Sequence, residues 1–238
     1  MCGKFTAMMT WKEYCFLAGV GTSGADELGP DLMDPQKQLG TFTPMSSLSV
    51  LHLNPVGMRR ITPMRWGWID ARAANPQRSF KHLHARSEEI DRTPTWTDPF
   101  HDSRGVVFTK SFNIGEEMPN GKTKQWMCSR ADGKPVAIAV IYSAWETTAG
   151  LLRACVMVTT QSCPPLDIRD DRMPAILRDD AEIKTWLGET PATCAELKAL
   201  LRPFDGSLVM REQEPGGPPP QPKKDKGIKP SAQASFDL

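Results

Sequence analysis

The stretch Lys124-Gln125-Trp126-Met127-Cys128-Ser129-Arg130, Ala131-Asp132-Gly133, then Lys134-Pro135-Val136-Ala137-Ile138-Ala139-Val140-Ile141-Tyr142-Ser143-Ala144-Trp145 decides the fold class. Its centre is a turn, because Asp-Gly supplies a residue tolerant of tight backbone angles. Its flanks, rich in Val, Ile and aromatic residues, read as two strands over Lys124–Arg130 and Val136–Trp145. Working outward, further strands are expected at Leu151–Thr160 and Gly105–Phe112, with Pro119-Asn120-Gly121 as a second turn. Ser47–Leu53 alternates apolar positions as a strand should, and Gly3–Thr10 is strand-like. Residues 20–45 are rich in Gly, Pro, Asp and Ser and read as a long connection. Apart from a short helix over Trp11–Leu17, helical signals come late. Asp179–Gly188 has acids in front and glycine behind, and a second helix is expected from Thr190-Pro191, with Leu197, Leu200 and Leu201 on one face. Strands first and helices afterwards predict an α+β fold.

The chain has 238 residues, enough to bury a real core. Its mean hydropathy of −0.39, with no apolar run of spanning length and no signal-peptide layout at the front, points to a soluble cytoplasmic protein without membrane partners. Cys2, Cys15, Cys128, Cys155, Cys163 and Cys194 make no C-x-x-C pair and no Cys/His zinc spacing. A reduced compartment is expected, and neither metal nor cofactor is called for. From Gln213 onward Pro, Gly and Lys dominate, so the expected organisation is one domain over 1–210 and a disordered tail over 211–238.

Net charge is only +1, but basic residues cluster. Between Met58 and Arg86 stand Arg59, Arg60, Arg65, Arg72, Arg78, Lys81 and Arg86 against Asp70 alone, interleaved with Trp66, Trp68 and Phe80. Guanidinium groups pair with phosphates and aromatic faces stack on unpaired bases, so the mixture suits single-stranded nucleic acid. The competing reading is a solvated basic loop with core tryptophans.

Cys2 follows Met1, and removal of Met1 would expose a 1,2-aminothiol. Such a group condenses with an aldehyde through its amine, whose pKa is about 7.7–8.0, and closes a thiazolidine through its thiol. Met1-Cys2-Gly3-Lys4-Phe5 resembles the M-C-G-R-F opening of the SRAP family (SOS response-associated peptidase, or abasic-site processing proteins). Further stretches resemble that family's motifs in order: Pro63-Met64-Arg65-Trp66-Gly67-Trp68, His84-Ala85-Arg86-Ser87-Glu88, the Arg130–Pro135 turn with the strand after it, and Asp167-Ile168-Arg169-Asp170-Asp171-Arg172-Met173-Pro174.

The resemblance implies a curved mixed sheet, partly barrel-like, with helices around it. It implies an activity as a sensor of abasic sites in single-stranded DNA, captured covalently by Cys2 as a thiazolidine. His84 stands where the family has Asn, and Asp170 where it has His. For the family's carboxylate a gap-free register falls on Gly115 and a shift of one on Glu116, the residue expected; Glu117 is the other candidate, and a solvated turn the alternative. Arg86 and Arg172 match positions for phosphate or sugar contacts, Lys4 replaces an Arg, and Arg65, Trp66 and Trp68 complete the expected DNA face. The catalytic set expected is therefore Cys2, His84, Glu116 and Asp170. A histidine can accept and donate protons at neutral pH, so the exchange of residue types need not end the chemistry. Two rivals remain: a binding module for single-stranded or damaged DNA without the chemistry, and a cysteine-dependent peptidase. The terminal Gln233-Ala234-Ser235-Phe236-Asp237-Leu238 also resembles the Q-x-x-Φ-x-L peptides that dock on a bacterial sliding clamp, against the alternative of a plain disordered end.

Overall fold

A computed structural model describes residues 3–21, 39–69, 82–147 and 150–213. Cys2, the basic stretch 70–81 and the tail from 214 lie outside the described residues. The strands are β1 (Lys4–Met8), β2 (Leu39–Phe42), β3 (Ser47–Leu53), β4 (Arg59–Trp66), β5 (His84–Arg86), β6 (Arg104–Thr109), β7 (Ser111–Glu117), β8 (Thr123–Arg130), β9 (Val136–Thr147), β10 (Gly150–Gln161), β11 (Arg172–Pro174), β12 (Ile176–Leu177) and β13 (Leu208–Gln213). The helices are α1 (Trp11–Ala18), α2 (Thr97–Asp102), α3 (Asp180–Leu187) and α4 (Cys194–Leu200).

The long hairpin β9–β10 organises the molecule. Strands β10, β4, β3, β6 and β9 pair in that order, and the β9–β10 pairing closes them into a five-stranded barrel. The closure tolerates no bulk at Gly105, where an added Cβ would stand 2.6 Å from Val50 Cγ1 and 2.9 Å from the Leu51 carbonyl oxygen. β5 and β11 pair with β10 and β12 pairs with β9, extending the barrel's sheet to eight strands, and the other five strands form a second sheet in the order β13-β8-β7-β1-β2. Alternation along the barrel strands divides their apolar side chains between two cores. Leu51, Ile61, Val106, Ala139 and Val158 meet α1 to α4. Val50, Met64, Trp66, Val140 and Met157 meet Phe5, Phe112, Ile114 and Cys128 of the second sheet.

The expected α+β class and barrel-like sheet are what the structure has. Ser47–Leu53 is a strand with those bounds, and the Asp179–Gly188 helix has Asp179 as N-cap and Gly188, at φ 99°, as C-cap. Two expectations need correction. Gly105–Phe112 is two strands: the chain leaves the barrel at Thr109, whose hydroxyl donates to the Ser111 carbonyl at 2.8 Å, and enters the second sheet. The last helix starts at Cys194 rather than at Pro191, because Thr193 and Glu196 form a reciprocal capping box. Strand β13 pairs with β8 as far as Gln213↔Gln125. Among the described residues no helix is long and apolar enough to cross a membrane.

Candidate functional site

Strand β1 brings the start of the chain into the second sheet, with Lys4 opposite Asn113 and Phe5 opposite Phe112 on β7. Phe5 faces inward and packs on Trp66 at 5.5 Å between ring centres. Trp66 is fully buried, donates its indole N–H to the Leu83 carbonyl at 3.2 Å, and meets the His84 ring edge-on at 6.3 Å. His84 sits on β5, which runs parallel to β10 with His84 opposite Met157 and Arg86 opposite Thr159. Residues two apart on a strand share a face, so half-buried His84 and exposed Arg86 look the same way. An aromatic chain from Phe5 through Trp66 to His84 thus ties the N-terminal strand to the position where the family has Asn.

A second group lies on β7, β8 and the loop between β10 and β11. Glu116 is on the same face of β7 as Phe112 and Ile114, beyond the apolar pair. Its Oε2 accepts the Trp126 indole N–H at 2.8 Å, and its Oε1 accepts Arg169 Nη1 at 2.7 Å. These contacts, the indole hydrogen bond foremost, outweigh partial burial and hold the Glu116 carboxyl below the usual carboxylate range, with Arg169 and Lys124 adding to the effect. The carboxylate is therefore ionised at neutral pH. Arg169 Cζ and Lys124 Nζ stand 4.6 and 4.7 Å from the centre of the Trp126 ring. Asp170 directly follows Arg169, and its Oδ1 accepts the Arg172 backbone N–H at 3.1 Å.

Other expected contacts are placed elsewhere. Trp66 has no exposed face for a base, and Trp68 belongs to the other core, edge-on to Trp96 and Trp145 at 4.9 and 5.9 Å. Arg65 alternates away from Trp66, and burial pushes its guanidinium pKa down. Arg172 is 7% exposed and is engaged inside the fold: Nη1 and Nη2 reach the Glu88 carboxylate at 2.7 and 2.9 Å, and Nη2 the Thr159 carbonyl at 2.7 Å. Trp66, Trp68 and Arg172 thus have their side chains buried in the fold, while Arg65 is half-buried. Arg59, from the same basic cluster, is bound to Glu189, Asp180 and the Ala18 carbonyl. Sequence alone does not reveal which arginines of this cluster have internal partners; Arg86 is exposed, and Arg72, Arg78 and Lys81 lie outside the described residues. Lys124, Trp126 and Arg169, which the sequence reading did not single out, gather at Glu116. Their signal was a cation and an aromatic two apart on a strand, hidden because their partner comes from a distant loop.

The sequence profile described as SOS response associated peptidase (SRAP) matches residues 1–213. The chain belongs to the SRAP family. It is 26% identical over 209 residues to the abasic site processing protein YoqW of Bacillus subtilis, covering 86% of this chain and 88% of that one. It is 25% identical to the abasic site processing protein HMCES of Rattus norvegicus, covering 74% of this chain and 61% of the relative. Among solved structures, a Bacteroides thetaiotaomicron protein superposes with a TM-score of 0.71 at 17% identity, covering 90% of this chain and 92% of that one. A phage-related protein of Bordetella bronchiseptica superposes at 0.65 and 17% identity, with 90% and 95% covered. These likenesses establish the SRAP fold for this chain.

Proposed function

We propose that this SRAP protein processes abasic sites in single-stranded DNA, and that Cys2 captures the ring-opened sugar after Met1 is removed. The α-amine of Cys2 adds to the C1′ aldehyde and water leaves, giving an imine. The thiol sulfur then adds to the imine carbon while its proton passes to the nitrogen, closing a thiazolidine. The observation that carries this reading is the Phe5–Trp66–His84 chain of rings. Cys2 is two residues from Lys4, so chain length alone keeps it within about 7 Å of that anchored position. These contacts support an aminothiol carried ahead of β1 working with an imidazole able to relay protons. Arg86 supplies an exposed cation on the same face for a phosphate. Glu116 and Asp170 are the carboxylates assigned to proton transfer, and Lys4 is assigned to the DNA face.

The test is a denaturing gel with an abasic single-stranded oligonucleotide, after intact mass shows that Met1 is gone. A stable shifted band is expected for the wild type. Cys2→Ser should give only an adduct that borohydride must trap, because its amine survives without the thiol. Equal, stable crosslinking by wild type and Cys2→Ala would sink the thiazolidine step. A second reading is a DNA-binding module without covalent chemistry. It is favoured by one observation: both Glu116 oxygens are already occupied by Trp126 and Arg169. That reading expects a shift on a native gel and none under denaturing conditions.

A further inference from the structure

We propose that Lys124, Trp126 and Arg169 form a contact surface for single-stranded nucleic acid, on which Arg169 exchanges the Glu116 carboxylate for a backbone phosphate. The inference deepens the DNA reading above and rests on it. Lys124 and Trp126 stand two apart on β8, opposite Glu116 and Ile114 of β7, and so share one face. The β10–β11 loop brings Arg169 to the same ring, so two cations lie over a single indole. Each cation has a carboxylate at rest: Lys124 with Glu212 at 2.8 Å, and Arg169 with Glu116 at 2.7 Å. The Arg169 and Glu116 side chains are 34% and 21% exposed. Solvent still reaches both side chains and screens the pair, which lowers the cost of exchanging one partner for another.

A phosphodiester fits the vacated guanidinium, which binds phosphate oxygens in a bidentate fork. The planar faces of the indole and the guanidinium suit an unpaired base, and Ile168, 69% exposed beside Arg169, adds an apolar contact. An acidic peptide would satisfy the charges but leave the flat faces unused, which favours nucleic acid. The exchange has a consequence for the chemistry. Glu116 keeps its indole hydrogen bond and its neighbour Lys124 but gives up Arg169 when a strand is bound, so its Oε1 becomes open to a proton at that moment. Arg169 is then a positioning residue that couples binding to the readiness of Glu116.

The experiment measures binding of the full chain to an intact, non-abasic single-stranded oligonucleotide by fluorescence anisotropy over a series of salt concentrations. Melting curves accompany each variant to verify folding. Arg169→Ala should lower the slope of log affinity against log salt by about 0.7, the value of one phosphate contact on a single strand. Trp126→Ala should weaken binding about tenfold, as expected for the loss of one stacked base. Glu116→Gln should tighten binding several-fold by removing the resting partner, and the gain should vanish in the Arg169→Ala background. Wild type that binds the oligonucleotide while Arg169→Ala and Trp126→Ala bind it equally well overturns this surface and leaves the DNA reading standing. Glu116→Gln that fails to tighten binding overturns the exchange. A wild type that binds polyglutamate but no oligonucleotide overturns both the surface's assignment to nucleic acid and the DNA reading.

Discussion

Replacing Arg172 with alanine separates a framework arginine from a DNA contact. In the fold the side chain bridges β11 to the turn after β5 across β10, with two hydrogen bonds to Glu88 at 2.7 and 2.9 Å and one to the Thr159 carbonyl at 2.7 Å. Hydrogen bonds to charged groups contribute about 1.5–3 kcal/mol each when buried. The sum must be discounted. Glu88 is 42% exposed and rehydrates, and the Thr159 carbonyl keeps the Ser87 N–H at 2.8 Å. Arg172 Nε is buried without a hydrogen-bond partner among the described residues, so truncation also removes an unsatisfied donor. The net loss is about 2 kcal/mol, which for a domain of this size lowers Tm by about 4–8 °C.

Urea denaturation measures the loss directly, and its pH dependence reports the mechanism. The Arg172 hydrogen bond, the largest influence on Glu88, holds that carboxyl below its ordinary 4.5 against the opposing effect of burial. A depressed folded-state pKa stabilises the protein above the unfolded value and loses that contribution as pH falls through the folded one. The stability gap between wild type and Arg172→Ala should therefore narrow as pH drops below about 4.5. An unchanged urea midpoint together with a reduced salt slope for oligonucleotide binding would refute the framework assignment and restore Arg172 to the DNA face.

Three further outcomes follow from the structure. If His84 carries proton transfer, crosslinking of the abasic oligonucleotide should depend on a group titrating near neutrality, and His84→Asn should alter that profile. Adding Asp170→His to it should restore activity at least to wild type, and a dead double variant that melts normally counts against the two residues sharing a site. Tyr14→Phe should cost about 1–3 kcal/mol in urea denaturation, because the buried phenol donates to the Ser49 carbonyl and receives the Phe108 N–H; an unchanged midpoint would show that this interior bond contributes nothing net. A peptide spanning Ser231–Leu238, from the tail beyond the described residues, should bind a bacterial sliding clamp and lose that binding on Phe236→Ala with Leu238→Ala; no binding at millimolar peptide returns the segment to plain linker.

How far the sequence could be read depended on whether a signal was local. The β9–β10 strands and the Asp179–Gly188 helix were legible because alternation, turn chemistry and capping act within a few residues. Closure of the barrel was not, since the parallel pairing of Ala154 with Arg65 joins segments that share no local pattern. Short β5, β11 and β12 carry too few residues to show a period and exist because β9 and β10 supply their partners. The motif positions were legible in the same limited sense. His84-Ala85-Arg86-Ser87-Glu88 could be placed, but the division of labour within it could not: His84 and Arg86 share one face, while Glu88 turns to bind Arg172.

The same distinction separates the tryptophans by what each side chain can do. Composition treats Trp66, Trp68 and Trp126 alike, yet one is sealed against Phe5, one is packed in the helix-covered core, and one keeps two cations at its face. Burial decides the role: a sealed ring can only hold its neighbours in place, whereas a half-buried one can still exchange partners. Trp66 thus belongs to the scaffold that orients His84 and anchors β1, and Trp126 to the rim where Glu116 and Arg169 meet. Chemistry at Cys2 would need both, a rigid aromatic chain to deliver the N-terminal strand and an exchangeable ion pair to free the carboxylate. Trp66→Leu should accordingly impair crosslinking through misplacement of β1 and lower stability with it. Trp126→Phe, which loses the indole N–H to Glu116 but keeps a ring, should leave Tm nearly unchanged while shifting the acid limb of the crosslinking profile upward, because the largest influence depressing the Glu116 pKa is gone. Equal losses of stability in the two variants would erase the distinction between scaffold and rim.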